Sequence, residues 1–159
     1  MGAPTPTARG VPLGRWLGDG FRTLINFAEN PTVSLWEKSV QPPGLDGGDA
    51  VETTTMHNVN YRTMSSRFLK TMTESSVMAA YDPQVYDQLV ALINVETTIT
   101  VHMPNGGSLA FFGFLRTFEP AEHVEGTQPE ATCTFTPTNV DPADGTEAAP
   151  VYTAPGTGT

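Results

Sequence analysis

Cysteine, histidine and positive charge are the scarce things in this chain. Its single cysteine, Cys133, excludes an intrachain disulfide and gives no sign of an oxidising compartment. Eight Lys and Arg stand against seventeen Asp and Glu, for a formal charge of −9. That balance argues against tight nucleic-acid binding, which needs cations to displace phosphate counterions. The imbalance is steepest at the end: from Glu119 onward the acids Glu119, Glu122, Glu125, Glu130, Asp141, Asp144 and Glu147 face no Lys or Arg at all. No apolar run approaches membrane-spanning length, and the opening MGAPTPTARGVPLG lacks the apolar stretch of a secretory leader. The expectation is a soluble protein with no membrane partner, not exported through a cleaved signal.

Catalytic and metal-binding patterns are missing too. His123-Val124-Glu125 matches the H-x-E of zinc deaminases, but those need two further cysteines. A chance match in an acidic loop is the better reading. Asp46, Asp49 and Glu52 do not fit the spacing of a calcium loop, and solvated carboxylates explain them. His57 and His102 stand alone, and Cys133 reads as a small core residue. No catalytic residue, metal ligand or cofactor is assigned, and an enzyme is not expected.

What is present is strand alternation around one helix. At 159 residues the chain fits one domain with tails. Residues 1–20, rich in Gly, Pro and Thr, read as an N-terminal arm whose Trp16 and Leu17 suggest an anchor onto some surface. Phe21–Ala28 and Val33–Val40 read as two strands pairing in a hairpin across Glu29-Asn30-Pro31. A long polar connection, Gln41–Asn60, follows, with Pro43, Gly44, Leu45, Asp46 and Asp49 in its first half. Its second half, Val51–Met56, regains strand propensity through three consecutive threonines. Compact domains rarely carry so long a connection without using it.

Tyr61–Lys70 is ambiguous; with Arg62, Arg67 and Lys70 it is the most basic stretch and suits an acidic partner surface. Glu74–Tyr81 reads as a strand. Asp82-Pro83 then starts a helix over 83–93, with Val85, Leu89, Leu92 and Ile93 on one face. Ile99, Val101 and Met103 alternate with Thr98, Thr100 and His102 up to a Pro104-Asn105-Gly106-Gly107 turn. Ser108–Phe118 returns, apolar on both faces and therefore central. Ala131–Pro137 closes the series, with Cys133 and Phe135 inward and Thr132, Thr134 and Thr136 outward. Residues 139–159 read as a flexible or extended C-terminal arm. The element order predicts an α+β chain, mainly β: an antiparallel β-sandwich or half-barrel with one flanking helix and a long inter-strand loop.

In their order and spacing, several of these residues resemble the tail tube proteins of long-tailed bacteriophages. They are Pro43-Gly44-Leu45, Val51-Glu52-Thr53-Thr54-Thr55-Met56, the segment holding Arg62, Ser75–Tyr81 with Asp82-Pro83, the helix to Ile93, and the hairpin Ile99–Gly107 followed by Phe111-Phe112-Gly113. The similarity runs from about Phe21 to Thr138. Met64–Phe68 lacks the usual Pro-Gly turn of that family, and the segment beyond Thr138 has no counterpart in it.

The resemblance implies a virion protein of the tail, assembled in the host cytoplasm without cofactors. Its main partner is itself: hexameric rings stack into a tube through 41–60, with Val51–Met56 extending the inner sheet. Further partners implied are a tape measure protein and tail-tip or terminator proteins, and DNA passes through the lumen without specific binding. Candidate lumen positions are the polar faces Thr53/Thr55, Thr98/Thr100 and Thr132/Thr134/Thr136, although threonine favours exposed strand faces in any case. Other classes stay open: a monomeric ligand-binding β-module, another tail or baseplate structural protein, and a zinc-dependent hydrolase or deaminase.

Overall fold

Strands form wherever apolar side chains recur at every second position. The computed structural model of the chain describes residues 19–28 and 35–156. Most of the predicted N-terminal arm, including Trp16 and Leu17, lies outside the described residues, as does the turn at Glu29-Asn30-Pro31. In chain order the strands are β1 (Leu24–Phe27), β2 (Trp36–Gln41), β3 (Leu45–Asp46), β4 (Val51–Glu52), β5 (Met64–Ser65), β6 (Thr71–Met72) and β7 (Ser75–Ala80). A 3-10 turn over Pro83–Val85 leads into helix α1 (Tyr86–Leu92). Strands β8 (Thr97–His102), β9 (Ser108–Pro120), β10 (Glu130–Pro137) and β11 (Val151–Thr153) complete the chain.

The body is one antiparallel seven-stranded sheet, ordered β1-β8-β9-β10-β7-β2 with β11 also on β9. Its concave face holds Ile25, Phe27, Val77, Ala79, Ile99, Val101, Phe111, Leu115, Cys133 and Phe135, and Leu89 and Leu92 of α1 join the same buried cluster. Phe27 and Phe135 meet there with ring centroids 5.5 Å apart. The helical segment opens as a 3-10 turn, where Asp82 Oδ1 accepts from Gln84 N at 3.0 Å and Pro83 needs no amide partner. It ends at Asn94, whose φ of 61° no helix continues through.

The two leading strands do not form the expected hairpin. β1 pairs with β8, setting Ile25 opposite Val101 and Phe27 opposite Ile99, while β2 pairs with β7. Alternation marks a strand as half-buried but does not name its neighbour. Here the neighbour is fixed by burial of Ile25 and Phe27 among Ile99, Val101 and Phe135. The sheet then curls until its outer strands approach, giving a half-barrel rather than a two-sheet sandwich.

Two local irregularities re-aim side chains. A register shift between Glu37 and Ser39 in β2 keeps Leu35 and Val40 inward while Trp36 is 77% exposed. A second shift, where β10 passes Thr134/Phe135, lets Leu115 and Phe118 both reach the core although they lie three residues apart. β10 leaves β9 after Pro137, and β11 takes up the vacated edge over Ser108–Ala110. The stretch read as a flexible or extended arm thus contributes a strand.

Candidate assembly interface

The long connection is a hairpin arm. β3 pairs with β6 and β4 pairs with β5, so residues 42–74 run out from the sheet and back along themselves. Polar side chains stitch the stem. Gly44 N donates to Thr73 Oγ1 at 2.7 Å and Thr73 N to Gly44 O at 2.9 Å. Asp46 Oδ1 accepts from Gly48 N at 2.8 Å, and Arg67 Nε donates to the carbonyl of Asp49 at 2.8 Å. Farther out, Thr53 N donates to Thr63 O at 2.8 Å, and Asn58 Oδ1 accepts from Thr55 N at 2.8 Å to close the tip.

Two expectations change here. The arm reaches past Asn60 to Glu74, because the ambiguous segment Tyr61–Lys70 supplies its return strand. Val51–Met56 does not extend the main sheet: only Val51 and Glu52 are in strand, paired with Ser65 and Met64 in a ladder of their own. The threonine run has no buried face to anchor it to the core and turns at Thr55–Asn58 instead.

The arm exposes apolar side chains without cover. Phe68 is 99% exposed and Met56 102%, and Leu45, Val59, Tyr61, Met64 and Leu69 are also exposed. Scattered exposed apolar residues are ordinary, but a run of them on one protruding hairpin marks an interaction surface. Phe68 and Leu69 border two concavities. One, of about 550 Å³, lies along the arm between Gly47–Gly48 and Ser65–Arg67. The other, of about 420 Å³, lies between the arm root and Glu147–Pro150. Sequence reading placed the stacking contact on Pro43, Gly44, Leu45, Asp46 and Asp49, which form the outgoing strand and its turn. The exposed pair Phe68 and Leu69 was not singled out there; its signal was an apolar pair bracketed by Arg67 and Lys70 in a segment lacking periodicity.

The threonine candidates divide into two places. Thr98, Thr100, Thr132, Thr134 and Thr136 share the convex face of the main sheet, each half-buried. Asn26 Nδ2 and His102 Nε2 meet on the same face at 3.0 Å. Phe112, opposite Thr98, and Phe114, opposite Thr136, interrupt the hydroxyl rows. Thr53 and Thr55 belong to the arm and are not brought to this face. Among the described residues no group of three His, Cys, Asp or Glu could hold a metal ion.

No protein-family model matches the chain, and no curated protein matches it by sequence. Solved structures do match in fold. A chain of the native gene transfer agent virion superposes with a TM-score of 0.62 at 10% identity, over 87% of this chain and 100% of that one. A chain of the anti-feeding prophage baseplate, 6-fold symmetrised, gives 0.61 at 6% identity, over 89% and 98%. A chain of the PVC sheath–tube complex of an extracellular contractile injection system, in its extended state, gives 0.55 at 9% identity, over 96% and 99%. These virion, baseplate and sheath–tube chains share the antiparallel half-barrel with one short helix. This chain has that fold, as the resemblance in its sequence implies.

Proposed function

We propose that the chain is a structural, non-enzymatic subunit of a virion tail tube: copies close into hexameric rings, and rings stack into a conduit through which DNA enters the host. The observation that carries this reading is the uncovered apolar arm, 42–74, on a domain of tail tube fold. Its backbone extends up to about 40 Å from root to tip at the usual rise per strand residue, roughly twice the length of the six-residue strands beside it. Ordering such a hairpin costs conformational entropy, which a docking surface on another copy offsets.

Other features agree with the role. Apart from the Ile25–Glu37 contact between them, the edge strands β1 and β2 have no ladder on their outer sides, and ring closure pairs such edge groups with a neighbour. A contact that closes a ring and a second, head-to-tail contact that does not close together generate a tube. The convex hydroxyl face with Thr98, Thr100, Thr132 and Thr134, on a chain of charge −9, suits a lumen across which a duplex slides without binding. A tape measure protein within the lumen and terminator proteins at the ends are the further partners, with assembly in the host cytoplasm.

Negative-stain microscopy of the purified full chain tests the proposal. Hollow filaments of stacked rings are expected, and a chain that stays monomeric at all concentrations and salts overturns it. Replacing residues 47–70 by an Asn-Gly turn between the paired Asp46 and Thr71 is expected to leave rings that do not stack. The likeness to a baseplate chain favours a second reading, a tail-end or baseplate ring; single rings that never elongate would select it.

A further inference from the structure

The arm and the acidic loop lie at opposite ends of the same strands. The arm leaves where β2 ends and β7 begins, at the pair Gln41–Ser76. At the far end of β7, Ala80 pairs with Glu130, and Tyr81 N donates to Pro129 O at 2.9 Å, which sets loop 121–129 there. Ala121 N donates to Glu130 O at 2.8 Å and closes the loop's base. An aromatic chain supports it: the His123 ring lies 5.8 Å from Tyr81, and Tyr81 lies 5.6 Å from Phe118. Translating one copy along its strands therefore brings its arm toward the acidic loop of the next.

The two ends are complementary in charge and apolarity. Lys38 pairs with Glu130, Arg116 with Glu74 and Arg62 with Glu52. Among the described residues that leaves Arg22, Arg67 and Lys70 without a carboxylate, the last two on either side of the exposed Phe68 and Leu69. In the loop, Glu122 and Glu125 have no cation among the described residues and flank Val124, which is 53% exposed. One patch is apolar between two cations; the other is apolar between two anions.

Resting on the tube reading, we infer that ring stacking is carried by Phe68 and Leu69 of one copy seated on Val124 of a second copy, with Arg67 and Lys70 meeting Glu122 and Glu125. The partner is another copy of this chain, and the contact is head-to-tail, so it propagates instead of closing. Desolvation of the apolar pair supplies most of the affinity, and the charges set direction and register. The polar outgoing strand, Pro43–Asp49, braces the arm and does not form the contact.

Sedimentation velocity and electron microscopy of the full chain test this. All positions changed are exposed, and matching melting curves of the dilute variants establish that each folds. Phe68→Ala with Leu69→Ala is expected to raise the concentration at which filaments appear at least about tenfold while rings persist. Lys70→Glu alone and Glu122→Lys with Glu125→Lys alone each weaken stacking, and all three together polymerise better than either. Filaments at wild-type concentration from the Phe68/Leu69 variant, or a combined charge variant no better than its parents, overturn the arm-to-loop contact and leave the tube reading standing. A wild-type chain that never polymerises overturns both.

Discussion

The backbone N–H of Ile25 donates to Glu37 Oε1 at 3.1 Å, joining the two outermost strands of the sheet through a side chain instead of a ladder. Ile25 is 1% exposed, so its amide has little access to water, and the carboxylate satisfies it. Glu37→Ala is expected to destabilise the fold by about 1–3 kcal/mol, the usual cost of leaving a buried donor unpaired. Glu37→Gln keeps an acceptor and should lose less. Urea denaturation measures both, and equal losses for the two variants would show that the charge, not the acceptor, matters.

Gly113 lies where β9 is paired on both sides, opposite Thr97 in β8 and Pro137 in β10. A Cβ there would stand 2.7 Å from the carbonyl oxygen of Thr136 and 3.3 Å from Pro137 Cα, both backbone atoms that cannot swing aside. Gly113→Ala should therefore lower stability by about 1–3 kcal/mol through overpacking. Calorimetry would register this as a fall of several degrees in Tm. An unchanged Tm would mean that β10 shifts freely at its end.

Burial pushes the Cys133 thiol up from 9.0 to about 12. Between those two pH values the unfolded chain releases this proton and the folded chain retains it, so stability falls as pH rises through that window. Below pH 9 the thiol is neutral in both states and its contribution is fully present. Cys133→Ala should flatten the alkaline arm of the stability–pH curve, by up to about 4 kcal/mol at the upper limit. Thiol titration adds a second check: in the native chain at neutral pH, Cys133 should react only as fast as the protein unfolds.

The convex threonine face is tested by charge. Thr100→Lys and Thr134→Lys replace half-buried, outward side chains, so each should change stability by less than about 1 kcal/mol. If this face lines the lumen, particles carrying both should assemble normally and eject DNA more slowly, most of all at low salt, because the added cations bind phosphate. Ejection at the wild-type rate would remove this face from the lumen.

Much of the local structure was legible. Alternation marked Thr98–Met103 and Ala131–Pro137, each within a residue of the strands Thr97–His102 and Glu130–Pro137; the Asn105-Gly106 turn joined β8 to β9, and the spacing of Leu89 and Leu92 placed the buried helix face. Each of those signals is written within a few residues, because side-chain direction repeats every two positions in a strand and about every 3.6 in a helix. The arm's return strand was not legible, since Phe68 and Leu69 answer to no surface within their own subunit and so show no burial period.

The sequence by itself determined the long strands of the main sheet, which of their faces are buried, that helical structure begins at Pro83, and that the chain is acidic. Those properties are local or additive. Only the tertiary structure decided that β1 crosses to β8, that β11 fills the edge vacated by β10, and that 42–74 is one hairpin with its apolar side chains, Met72 excepted, turned outward. Pairing is a choice among distant partners, and burial of Ile25 and Phe27 beside Phe135 makes it, while the apolar pattern in one strand fits several neighbours equally well.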